Sequence, residues 1–316
     1  TVIFKYSYCN YNNSKMPKRK RWGKKYKDNR DWRVYNKQLI KRGEFYINPA
    51  FLETWLDEIR EMNYRKVGQP YLYPHSMIEF LAILHSKGFD YRALEGIIRA
   101  LSRRLGNFPV ISFSQIRKRI RKLKLIFKAK SNNLDVGVDG SGIKVSNRGE
   151  WIRDKWKVKR GWIKVVIMGD TEGNIVDIRI GNENQNENSS GRGMLRKNHK
   201  NIKKYIGDGL HDAKDNFDLC NQLGVEPVIK IREDAGTNSN GCMARKKQVL
   251  EYKKLGYKEW AKKKRYGMRW VATEGIYSAV KRIFGECVRS HKTRNMHHEA
   301  KLKFWSYQKI KDLNTD

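Results

Sequence analysis

Residues Leu134 to Val145 read L-D-V-G-V-D-G-S-G-I-K-V, and the reading of this stretch decides the fold. Val136 and Val138, then Ile143 and Val145, alternate as on a strand with one buried face. Asp139 stands in the middle, where a charge is costly unless it has a partner or a task. Gly137, Gly140 and Gly142 flank it and let other groups approach the backbone. One reading makes Asp139 a metal ligand on a rigid strand; the other makes it a structural Asp at a strand end or turn. This stretch alone leaves both open.

The composition narrows the choice. The chain has 316 residues, enough for a sizeable core and two domains, and carries a net charge of +35. Such an excess repels itself unless a polyanion neutralises it, so nucleic acid is the first candidate partner and an anionic membrane surface the second. No apolar run approaches the roughly 18 residues that span a bilayer, and the N-terminus lacks a signal-peptide core, so a cytoplasmic protein is expected. Cys9, Cys220, Cys242 and Cys287 lie far apart, and the seven histidines show no ligand-type pairing, which argues against a Cys/His metal site.

Upstream of the central stretch the pattern is helical. Residues 1–30 end in a basic, aromatic run, K-R-K-R-W-G-K-K-Y-K-D-N-R, expected to be an arm that orders on DNA; residues 1–15, before Met16, are expected to be an extension without structure. Residues 31–130 are expected to form an all-helical DNA-binding domain. A first helix opens at Asn48–Pro49, a second runs from Ser76 to Lys87, and a third follows Asp90, with Arg103 and Arg104 off its apolar stripe. The fourth, Ser114 to Phe127, follows a turn with Gly and Pro, as in a helix-turn-helix. Its Arg117, Lys118, Arg121 and Lys122 repel one another, and phosphates would relieve this; a solvated amphipathic helix is the bland alternative.

Downstream, residues 131–316 switch to period two. After the opening strand come a basic, aromatic hairpin from Trp151 to Trp162, strands at Ile163–Met168 and Ile175–Ile180 joined by a tight turn, and a polar loop over residues 182–193. A fourth strand, Tyr205–Gly207, runs into Asp208; a helix from Asp212 to Leu223 leads to a fifth strand, Pro227–Ile231. Helices follow at Gln248–Trp260, Val271–Cys287 and His297–Lys311. This order predicts a ribonuclease-H-like α/β catalytic domain with a mixed five-stranded sheet. It brings three acids forward: Asp139 on strand one, Asp208 at the end of strand four, and Glu274 near the start of the Val271–Cys287 helix. Three acids together repel without a cation, and Mg²⁺ prefers carboxylate, water and phosphate oxygens. Two ions about 3.5–4 Å apart would activate an attacking hydroxyl and stabilise a leaving oxygen. Glu274 and Lys281, seven apart, share a helix face, putting an acid for metal and a cation for phosphate in one cleft. Each residue also has a bland reading, as a solvent-facing Glu/Lys pair or a turn Asp in G-D-G.

The motifs then become specific. The chain reads Tyr266-x2-Arg269-x4-Glu274-x6-Lys281, V-D-G-S-G-I-K-V around Asp139 and Y-I-G-D-G-L-H-D around Asp208, with spacings of 69 and 66 residues between the acids. This resembles insertion-sequence transposases of the DDE superfamily, whose corresponding segment is Y-x2-R-x3-E-x6-K; here the Arg–Glu interval is one residue longer. R-D-W-x-x-Y-N at Arg30–Asn36 and Y-R-A-L-E-G at Tyr91–Gly96 also look like this group. The resemblance implies a transposase that binds the terminal inverted repeats of double-stranded DNA, cuts there and joins the 3′ hydroxyls to target DNA. It further implies metal held by Asp139, Asp208 and Glu274, with Mg²⁺ as two ions and Mn²⁺ as a substitute. Tyr266, Arg269 and Lys281 would touch DNA near the cut, Asp212 would cap the helix after Asp208, and a homodimer would pair two ends in a prokaryotic nucleoid. The alternatives are a metal nuclease without strand joining and an inactive, domesticated DNA-binding protein.

Overall fold

The computed structural model describes residues 31–146, 161–238 and 241–313. The expected basic arm and nearly all of the expected hairpin before Trp162 lie outside the described residues. The helical part comprises α1 (Trp32–Phe45), α2 (Trp55–Asn63), α3 (His75–Ser86), α4 (Tyr91–Leu105) and α5 (Phe113–Ile120). Asp31 and Asp90 begin α1 and α4 by accepting backbone N–H bonds, from Arg33 and Val34 and from Ala93. α3 is the buried centre, with Met77, Ile78, Phe80, Leu81, Ile83 and Leu84 removed from solvent at about 1.5–3 kcal/mol of stabilisation each.

Three of these boundaries differ from expectation. α1 was not expected as a helix; it has no buried residue and hence no strong apolar stripe. The expected first helix splits into a 3₁₀ turn, Ala50–Leu52, and α2. α5 stops at Ile120, and residues 123–129 form neither helix nor strand, with Leu123, Leu125 and Phe127 buried between exposed Lys122, Lys124, Ile126 and Lys128. That alternation has period two, and it overrides the helical reading.

The sheet comprises β1 (Leu134–Val145), β2 (Trp162–Asp170), β3 (Ile175–Asn182), β4 (Ile202–Gly207), β5 (Glu226–Ile229) and β6 (Cys287–Val288), in the order β3-β2-β1-β4-β5 with β6 beside the far end of β1. β1, β2 and β3 are antiparallel neighbours, whereas β4, β5 and β6 run parallel to β1 or to each other. This is the ribonuclease-H-like arrangement. The sixth strand corrects the expected five; its two residues are too few to carry a pattern. The remaining helices are α6 (Glu187–Asn198), α7 (Lys214–Gln222), α8 (Met243–Lys264, kinked at Gly256), α9 (Ile276–Phe284) and α10 (Thr293–Asp312). α6 occupies the expected polar loop: Asn186 caps it by accepting from the Ser189 N–H, and Met194 and Leu195 bury it.

One sheet face packs Val136, Val138, Val166 and Met168 with Met194, Leu195 and Phe217. The other packs Ile163, Val165 and Ile167 with α9 and α10, and this core continues without a break into α3, α4 and α5. α3 and α10 meet at a buried bond between Ser306 Oγ and Ser86 Oγ (2.9 Å) and an ion pair of Lys309 with Glu79. The chain therefore passes from helices to sheet near residue 130, but the two parts share one core. No helix among the described residues is long and apolar enough to cross a membrane.

Candidate active site

Asp139 lies on β1 opposite Ile167 of β2, just beyond the last β1–β4 pair, Gly137 with Ile206. Asp208 follows the last residue of β4. Both acids thus stand on neighbouring parallel strands where one of them ends, the crevice in which open α/β sheets bind ligands. Asp208 accepts from the Leu210 N–H (2.8 Å), which fixes the turn after the strand.

Glu274 comes from a single π-helical turn, Val271–Gly275, that precedes α9. The turn sits in a dent in the sheet. Gly137 and Gly169 are cross-strand partners. A Cβ on Gly169 would lie 2.1 Å from the Ala272 carbonyl oxygen, and one on Gly137 2.8 Å from Ala272 Cβ, so only glycine permits the approach. A π turn is how an α-helix absorbs one extra residue. The Arg269–Glu274 interval carries such a residue, and Arg269 keeps its reach.

Arg269 spans the first and third acids. Its Nη1 donates to Asp139 Oδ2 (3.1 Å) and its Nη2 to Glu274 Oε1 (2.6 Å). Burial pushes the Asp139 carboxyl up to about 6; the Gly140 N–H and Arg269 pull it down, while Asp208 and Glu187 push it further up. The ion pair and the raised pKa oppose each other, and burial prevails because the Asp139 side chain is only 19% exposed. Among the described residues no three His, Cys, Asp or Glu side chains stand close enough to share a metal ion. Asp139 and Glu274 are instead brought together through Arg269, with Asp208 in electrostatic reach of Asp139. The donor set is all carboxylate oxygen and suits a hard cation such as Mg²⁺. The guanidinium supplies the positive charge that a cation would supply.

Lys281 Nζ donates to Ser141 Oγ (3.0 Å), two residues beyond Asp139 on the same strand face. Tyr266 is buried against Trp260, 5.2 Å between ring centroids, and burial pushes its hydroxyl up to about 12. With Asp208, Lys230, Arg232, Tyr257 and Arg269 it lines a cavity of about 580 Å³ beside the acids. Arg103 and Arg104 are exposed on the last turn of α4, and Arg117, Lys118, Arg121 and Lys122 are exposed on or just after α5, outside the acidic cleft.

Sequence reasoning missed several residues. The buried Tyr277 hydroxyl accepts from the Ile167 N–H (3.2 Å) and lies within donating distance of the Asp139 and Val165 carbonyls (2.9 Å each), tying α9 beneath the first acid. Glu187 pairs with Lys164 (2.7 Å) and lies where a Cβ of Gly140 would be. Asn186 before it is a helix-start signal that could have exposed this element. Asp212 is a correction: it does not cap α7, which starts after Ala213. Its side chain is fully buried and accepts from Arg245 Nε and Nη2 (2.7 and 2.9 Å) and from the Arg232 N–H (3.1 Å).

Comparison with known proteins gives matches to two families, each described as a transposase DDE domain, over residues 40–148 and 134–308. Among solved structures, the piggyBac transposase synaptic complex with hairpin DNA is 9% identical, over 87% of this chain and 75% of that one, with a TM-score of 0.36. The Drosophila P element transposase strand transfer complex is 13% identical, over 56% and 43%, with a TM-score of 0.28.

Proposed function

Because this chain belongs to the transposase DDE domain family, we propose that Asp139, Asp208 and Glu274 are the acids that carry its chemistry. The chain is a DNA transposase, an enzyme of metal-dependent DNA cleavage and strand transfer. The observation that carries the assignment of the acids is Arg269, whose guanidinium joins Asp139 and Glu274 beside the end of β4. Arg269 already gives two of these carboxylates a shared positive charge, and in this reading a cation takes over that role. The cation is Mg²⁺, as two ions, with Mn²⁺ as a substitute. When bound, it supplies charge for the attacking hydroxyl and the leaving oxygen.

The chain's own residues do the rest. Asp139 and Asp208 offer oxygens from rigid strand positions, and Glu274 offers one from the π turn. Arg269, once released from the acids, and Lys281 meet phosphate oxygens next to the cut, and Tyr266 lines the same cleft. Arg103, Arg104, Arg117, Lys118, Arg121 and Lys122 hold DNA further away. The substrate is double-stranded DNA bearing terminal inverted repeats, two ends are paired by a homodimer, and the target is DNA in a prokaryotic nucleoid. Strand joining separates this reading from the nuclease and the inactive-protein alternatives.

Asp139→Asn, Asp208→Asn and Glu274→Gln test it in gel-shift, cleavage and strand-transfer assays with Mg²⁺. Each variant should bind DNA as the wild type does. Each should lose more activity than the roughly 10–100-fold that follows loss of a metal ligand's hydrogen-bond partner. Full cleavage by any of them would remove that residue from the site.

A further inference from the structure

The cations of α5 divide between two sides of the helix. Lys118 and Lys122 line one cavity with Tyr71 and Tyr73. Arg117 and Arg121, four apart and so on one face, line another, of about 260 Å³, between α5 and the start of α10. Lys292 and His291, from the segment that joins β6 to α10, close the far side of that cavity. Among the described residues neither Arg117 nor Arg121 forms an ion pair. The one acid on the wall is Glu299, and its two oxygens accept from the backbone N–H groups of Arg289 and Ser290 (2.8 and 2.9 Å). Three full positive charges thus face one carboxylate that is already committed to backbone. The N-terminus of α10, a 20-residue helix, opens at the same place and adds the positive end of its dipole.

We propose that this cleft binds a backbone phosphodiester of DNA, gripped from the helical part by Arg117 and Arg121 and from the sheet-bearing part by Lys292. The proposal deepens the transposase reading and rests on it. It assigns α5 a positioning contact to the DNA backbone on this face, since a phosphate carries no base information. It also joins DNA held by the helices to the part that bears the acids through a single bound group.

The test uses the full chain and a labelled DNA duplex, with affinity measured across a salt series. Arg121→Gln and Lys292→Gln remove exposed side chains, so both variants should melt like the wild type. Each should weaken binding by roughly tenfold and flatten the slope of log K against log salt by about 1. Because both residues hold one phosphate, the double variant should fall clearly short of the hundredfold product. Lys118→Gln combined with Lys292→Gln should give the full product of its single effects. Multiplicative losses for Arg121 with Lys292 would overturn the proposal, as would an unchanged slope. So would stabilisation of the wild type by inorganic phosphate with no effect of either variant on DNA binding. Cleavage by the Asp139, Asp208 and Glu274 variants is a separate readout, so this inference and the assignment of the acids can fail independently.

Discussion

Arg269 donates to Asp139 and Glu274 together, and its removal should act in opposite directions with and without metal. In chelator, Arg269→Gln should lose about 1–3 kcal/mol from two charge-assisted bonds. With Mg²⁺ added it should recover more than the wild type gains, because its acids lack a counter-charge. Calorimetric melting under both conditions checks this; equal Mg²⁺ shifts in variant and wild type would show that Arg269 does not stand in for the ion. Asp212 presents a different case. Asp212→Asn breaks a buried pair with Arg245 and should cost about 3–5 kcal/mol, read as a lower urea midpoint, whereas Asp208→Asn should leave the midpoint nearly unchanged. Order and spacing singled out Asp139, Asp208 and Glu274, and the structure puts Asp139 and Glu274 on one guanidinium. Tyr277 was not legible in the sequence: its hydroxyl bonds to strands more than a hundred residues away, and no local pattern encodes that contact.

At the scale of elements, the π turn and the paired glycines beneath it are one device. Gly169→Ala would place a methyl against the Ala272 carbonyl, where backbone has to move. The expected result is at least the about 1–3 kcal/mol of overpacking, together with a loss of cleavage that exceeds any loss of DNA binding, because Glu274 shifts with the turn. Parallel melting and cleavage assays would show it, and normal cleavage would mean that the turn does not set Glu274. The elements that sequence located well carry either strong apolar periodicity, as α4 and β1 do, or a nearly continuous apolar run, as α3 and β2 do. Those it missed lack both. α6 has two glycines and little apolar surface, β6 has two residues, and the segment after α5 has a period that changes within a single basic run.

Across the whole molecule, His85 lies at the junction of the two parts, stacked on Tyr91 and donating through Nδ1 to the Phe89 carbonyl (2.8 Å). Burial holds its pKa below the ordinary 6.5. The unfolded chain therefore binds a proton at a higher pH than the folded one does. The stability that His85 contributes is complete above pH 6.5 and is lost as pH falls towards the folded pKa, at about 1.4 kcal/mol per pH unit. His85→Asn, which retains a donor, should flatten this part of the stability–pH curve; chemical denaturation at intervals between pH 7 and 5 would reveal it. The continuous core that runs from α3 and α5 through α10 to the sheet has a mechanical corollary. A protein built as two loosely tethered lobes could hinge to suit its DNA. Here hinging would tear open a packed core, so the protein is the stiff partner. With the contacts proposed above, any misfit between the DNA at the helices and the DNA at the acids is taken up by bending or untwisting the duplex. Pyrimidine–purine steps, which kink most easily, would then be favoured between the two contacts without being touched by a side chain.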